Sequence, residues 1–144
     1  MKLSTRCRYG TLAMLEIARN YKKGPVKRTD IAKTEGISPA YLENILISLK
    51  TQNLIRTVRG ANGGFTLETS PENINMFQIM TALEEFIAPV HCAKNNAGCG
   101  HKENCIARKF WLDFHNMQVK SLKAASLQSL LDLEDSGKES DYCI

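Results

Sequence analysis

No uninterrupted apolar run in this 144-residue sequence approaches the roughly 20 residues that a bilayer-spanning helix needs. The opening residues, MKLSTRCR, hold no apolar stretch either, so neither a signal peptide nor an anchor is expected there. These absences predict a soluble cytoplasmic protein with no membrane partner, in a compartment where thiols stay reduced. Closely paired cysteines of the C-x2-C kind are missing, and the cysteine count of five is odd. The first absence disfavours the common zinc frameworks and the second a closed disulfide framework. No nucleophile–base constellation is visible and no close dithiol is present, so an enzyme is not expected. Basic charge is scarce after residue 60: residues 61–144 carry 7 Lys+Arg against 11 Asp+Glu, whereas residues 1–60 carry 12 against 4. A first part at +8 joined to a second at −4 points to a polyanion met by the first part alone.

What is present is a cysteine stretch at residues 91–105, HCAKNNAGCGHKENC, with Cys92, Cys99 and Cys105 at spacing C-x6-C-x5-C. Asn95, Asn96, Gly98, Gly100 and Asn104 favour turns, so a loop is expected, and three thiols on a loop can converge on one point. Lys94, Lys102, Arg108 and Lys109 flank them, and cations favour the thiolate form. Thiolates suit zinc or an iron–sulfur cluster, and three of them leave the choice of metal open.

Upstream, Leu12, Leu15, Ile17, Ala18 and Tyr21 recur at helical spacing over residues 9–21, ended by Gly24-Pro25. Lys27–Glu35 reads as a short helix closed by Gly36, and Ser38-Pro39 as the start of a third, running to about Asn53. The apolar stripe of the third helix is Tyr41, Leu42, Ile45, Leu46 and Leu49. Short strands at 54–58 and 65–67 flank the glycine-rich turn RGANGG. The order is that of a winged helix-turn-helix, mainly α with a small β-hairpin wing, whose third helix enters the major groove of double-stranded DNA. Its outer side offers Ser38, Ala40, Glu43, Asn44 and Ser48 to base edges, with Tyr41 at its start. Glutamate accepts from the cytosine amine and asparagine pairs with adenine. Arg59 at the wing tip suits a minor groove, and Gly60 lets backbone approach phosphate.

A fourth helix is expected over Met76–Ile87, then the cysteine loop, then a long helix from Ile106 to about Lys123. Ile106, Phe110, Phe114, Met117 and Leu122 give that helix more apolar surface than it can hide alone, which predicts pairing with a second protomer. Ser126 caps a short helix with Leu127, Leu130 and Leu131, and the acidic residues 134–140 predict disorder. Residues 1–87 thus form a DNA-binding domain, 88–105 a cysteine loop, 106–133 the dimerisation and tail helices, and 134–144 a disordered tail.

The chain resembles the Rrf-type winged-helix regulators of bacteria, which include IscR, NsrR and CymR. The likeness rests on MKLST with Arg8, Tyr9 and Gly10, on ISPAYLE at 37–43 and on VRGANGGFTL at 58–67. IAPVHC at 87–92, the remaining cysteines and SLQSL at 126–130 extend it to about residue 133. The resemblance implies a homodimer crossed through the long helix and bound to a palindromic operator. It also implies that Cys92, Cys99 and Cys105 ligate a 2Fe–2S or 4Fe–4S cluster sensing cluster supply, nitric oxide or redox state. IscR-like members carry a histidine three residues after the last cysteine, where this chain has Arg108, which cannot ligate. NsrR-like members recruit an acidic residue from the partner's first helix, where this chain has Arg8. The fourth ligand therefore lies among His101, Cys7, Glu103, His91 and a small molecule. CymR-like members lack the cysteines and act through a protein partner. The ending here, Asp141-Tyr142-Cys143-Ile144, is similar to their Tyr-Ile tail and to the terminal isoleucine that serine acetyltransferase inserts into cysteine synthase. The alternative reading is thus a regulator controlled by a cysteine synthase-like partner docking on Ile144.

Overall fold

A computed structural model of the protein describes residues 3–84, 87–94 and 105–140. Helix α1 spans Thr5–Arg19, four residues earlier than its periodicity suggests. Ser4 sets that start: its Oγ accepts from Cys7 N at 3.0 Å, satisfying a first-turn donor. Helix α2 covers Arg28–Glu35 and closes on Gly36 in the left-handed region, φ 63°. Helix α3 covers Pro39–Thr51, with Ser38 accepting from Tyr41 N at 3.2 Å and Pro39 in the first turn. Leu42, Ile45, Leu46 and Leu49 of α3 are fully buried against Met14 and Ile17 of α1 and Ile31 of α2. Tyr41, assigned to the same stripe from spacing, instead sits 37% exposed at the edge. Its ring meets that of Tyr9 edge-on, with centroids 6.1 Å apart.

Strands β1 (Ile55–Val58) and β2 (Gly64–Leu67) pair antiparallel, from Ile55 opposite Leu67 to Val58 opposite Gly64. Val26 adds a third partner, exchanging two backbone hydrogen bonds of 2.9 and 2.8 Å with Phe65. That approach requires glycine at 64, because a Cβ there would lie 2.4 Å from the Val26 carbonyl oxygen.

Helix α4 runs Met76–Leu83 under a full Asn75–Gln78 capping box. It stops four residues short of the expected end. Glu84 is extended (φ −108°, ψ 134°) because its carboxylate accepts from Ser4 N at 3.1 Å and Ser4 Oγ at 2.5 Å, which draws it across to α1. A single turn, α5 (His91–Lys94), follows, then α6 (Ile106–Ala124) and α7 (Leu127–Ser140). The junction of α6 and α7 is stitched to the start of α4: Met76 N donates to Ala125 O at 2.9 Å and Leu127 N to Ile74 O at 2.8 Å. Leu127 is fully buried in the same core as α1 and α3, and Leu131 packs against it. The tail helix therefore belongs to the core of the N-terminal unit. Residues 134–140, expected to be disordered, continue α7 as helix. Docking of Leu127 and Leu131, with Arg19 Nε 3.1 Å from Glu134 Oε2, outweighs their weak helix propensity.

Among the described residues no helix is long and apolar enough to cross a membrane. Helix α6 packs against α4 and α5 yet buries none of its side chains fully.

Candidate nucleic-acid interface and cysteine site

Helix α3 turns two faces to different tasks. Residues 42, 45, 46 and 49 point into the core, and one step round the helix Ser38, Ala40, Glu43, Asn44 and Ile47 are all exposed. The sequence reading missed Ile47, which is 56% exposed. Its spacing from Ala40, Glu43 and Asn44 was the available signal, masked by its apolar character. An apolar side chain there suits a thymine methyl. Ser48, expected to face solvent, is half-buried: Arg6 donates to its Oγ, and that hydroxyl donates to Asn44 O at 3.2 Å. It is engaged inside the protein rather than presented to bases.

Two lines of contact fix α3 against α1, one from Arg6 to Ser48 and one from Tyr9 to Tyr41. Arg28, at the start of α2, lies 2.5 Å from Glu43 through Nη1 and Oε2. Lys27, Arg28, Glu43, Ile47, Lys50 and Phe65 line a cleft of about 450 Å³ between α2, α3 and the wing. At the wing tip Arg59 is exposed, and Gly60 follows at φ 116°, a conformation other residues rarely adopt. The surface thus joins an exposed polar helix face to an arginine on a hairpin, with Lys27 and Lys50 beside them.

The cysteines divide differently. Cys92 lies in α5 and Cys105 is the N-cap residue of α6; both are half-buried. Arg108 Nε donates to Cys92 O at 3.2 Å, so the position where a histidine ligand would stand serves to tie α5 to the first turn of α6. Cys99, His101 and Glu103 lie outside the described residues, as does Ile144. His91 begins α5.

Cys7 is buried at the first turn of α1. Burial, reinforced by the neighbouring Glu84 carboxylate, pushes its thiol up to about 11. Metal ligation needs a thiolate, so a metal bound at Cys7 would have to overcome this burial and the neighbouring carboxylate. Cys92 and Cys105 stand on adjoining elements, and among the described residues no group of three His, Cys, Asp or Glu side chains gathers to hold a metal ion.

A family model described as "Rrf2: Iron-dependent Transcriptional regulator" matches residues 3–133. The chain belongs to the Rrf2 family. It is 37% identical over 131 residues to the protein rrf2 of Nitratidesulfovibrio vulgaris, covering 91% of this chain and 87% of that protein. It is 32% identical over 131 residues to the HTH-type transcriptional regulator IscR of Aliivibrio salmonicida, covering 91% of this chain and 77% of that one. Among solved structures, CymR, the global cysteine regulator of B. subtilis, superposes with a TM-score of 0.80 at 30% identity, covering 92% of this chain and 98% of that one. IscR of T. potens superposes at 0.79 with 26% identity, covering 95% and 90%. This Rrf2 protein is a helix-turn-helix transcriptional regulator, of a family that does not consist of enzymes.

Proposed function

We propose that this Rrf2 regulator binds a palindromic operator as a homodimer and that an iron–sulfur cluster on Cys92, Cys99 and Cys105 controls the binding. The docking of the Cys92 turn onto the helix that Cys105 begins, through Arg108, supports this reading most directly. A cluster of the 2Fe–2S or 4Fe–4S kind would supply an oxidisable, nitric oxide-sensitive centre whose gain or loss reports iron–sulfur supply. The protein's own part is to hold the Cys92 turn against α6, the helix that Cys105 begins and that packs on α4.

On the DNA side, Ser38, Ala40, Tyr41, Glu43 and Asn44 face base edges, Arg59 enters the minor groove and Gly60 brings backbone to phosphate. The fourth ligand is assigned to His101 or a small molecule in preference to Cys7. Anaerobic purification tests the reading. Visible sulfur-to-iron absorption bands are expected, and they should disappear when Cys92, Cys99 and Cys105 are replaced together by Ala. A colourless wild type, or a triple variant that still carries iron and sulfide after reconstitution, would reject the cluster. Loss of cluster stability in His101→Ala but not Cys7→Ser fits the ligand assignment.

The likeness to CymR keeps a second reading open to test, in which a cysteine synthase-like protein docks on Ile144 and the cysteines hold no cluster. Calorimetry of the intact chain and of a chain lacking Ile144 against cysteine synthase separates the two, since only the second reading requires binding by the intact chain.

A further inference from the structure

Glu43 does not stand alone on the recognition helix. Arg28, the first residue of α2, places Nη1 2.5 Å from Glu43 Oε2, with the two side chains 40% and 55% exposed. The contact leaves the Glu43 side chain 55% exposed, so its carboxylate is still open to a ligand on the outer face of α3. This is the face that also carries Asn44 and Ile47.

A bare carboxylate directed at a duplex is repelled by the phosphates and by the acceptor atoms of guanine and thymine; the cytosine amine rewards it in the major groove, and the adenine amine does so less because the N7 acceptor stands beside it. A guanidinium at contact distance offsets much of that charge without removing the acceptor. We infer that Arg28 is a positioning residue that sets base specificity: it holds the Glu43 carboxylate, masks its charge, and so decides how strictly that carboxylate demands cytosine. The inference rests on the reading of α3 as the base-reading helix. With Arg28 in place, sites lacking cytosine are tolerated. Without it, Glu43 presents its full charge to the acceptor atoms of guanine and thymine, and the protein also loses a cation near the DNA.

The test uses the full-length protein and a pool of duplexes randomised in sequence. Selection with the wild type defines the preferred site, and Glu43→Ala identifies the position that Glu43 reads, as the one whose preference flattens. Binding is then measured at one salt concentration to duplexes carrying each base at that position. Arg28→Ala should bind all of them more weakly while raising the preference for cytosine about two- to fivefold, the scale of an exposed ion pair. Arg28→Lys, which keeps the charge, should return the preference towards that of wild type. In a Glu43→Ala background, Arg28→Ala should leave the preference flat, which a merely structural role for Arg28 would not produce. An unchanged or reduced cytosine preference in Arg28→Ala overturns the inference while leaving the base-reading helix intact. If Glu43→Ala flattens no position, the base-reading role of Glu43 fails and the inference with it. Both side chains are partly exposed, so the variants should fold, and circular dichroism verifies it.

Discussion

Arg59 and Cys7 sit at opposite extremes of solvent access, and their chemistry follows from that. Arg59 is exposed on a hairpin tip, where the left-handed Gly60 turns the backbone away behind it. Its guanidinium makes no contribution to the core, so Arg59→Ala should leave stability unchanged and weaken operator binding by about 1–3 kcal/mol in a gel-shift titration. Cys7 is the reverse: buried, beside Glu84, with its thiol raised to about 11 from an ordinary 9.0. A raised value means that the folded chain grips this proton more tightly than the unfolded chain does. The resulting stabilisation is complete below about pH 9 and is lost as the pH climbs through 11. Denaturation between pH 8 and 11 should therefore show a steeper loss of stability in the wild type than in Cys7→Ala, and equal slopes would contradict the buried thiol. At pH 8 iodoacetamide should modify the half-buried Cys92 and Cys105 well before Cys7, as mass spectrometry of the digested protein would show.

At the scale of elements, α7 is where packing overrides local preference. Leu127 is completely buried in the same core cluster as Met14, Ile17 and Leu46, and the main-chain bonds around Ile74 and Ala125 leave the helix little freedom to swing away. Leu127→Ala should cost about 2–5 kcal/mol in urea denaturation, because it leaves a cavity in the main core. A loss under 1 kcal/mol would mean that α7 is an appendage after all. Helices α1 to α3 and the wing were legible in the sequence because their signals are local: apolar spacing, the Ser38-Pro39 cap, Gly36 and the glycine-rich turn. What was not legible came from distant partners. Helix α4 ends at Leu83 because Glu84 answers to Ser4, eighty positions away. Residues 134–140 are helical because α7 is docked and Glu134 pairs with Arg19. The same holds at the candidate sites. The exposed face of α3 followed from helical arithmetic, whereas the grip of Arg6 on Ser48 and of Arg108 on the Cys92 carbonyl joins residues no spacing rule connects.

For the whole molecule the open question of packing is α6. Ile106, Phe110 and Met117 are 86%, 59% and 65% exposed along it, and Phe110 shares an aromatic cluster with Trp111 and Phe114. A helix of 19 residues that buries no side chain fully, while its neighbours α4 and α7 are anchored in the core, supports the homodimer proposed above, in which another chain would cover this face. A second copy is the economical occupant: a twofold axis across α6 would set two basic N-terminal units, each with its own wing, on the two halves of a palindrome. Phe110→Glu introduces a charge into that surface without touching the core. The variant should sediment as a monomer at micromolar concentration where the wild type sediments as a dimer, with unchanged circular dichroism. Its operator affinity should fall by about a hundredfold or more, since each half-site must then be held without the effective concentration that linkage provides. On a duplex carrying a single half-site, wild type and variant should differ far less. A variant that stays dimeric, or a monomer that holds the palindrome as tightly as wild type, would show that α6 is not the surface through which the two halves of the operator are joined.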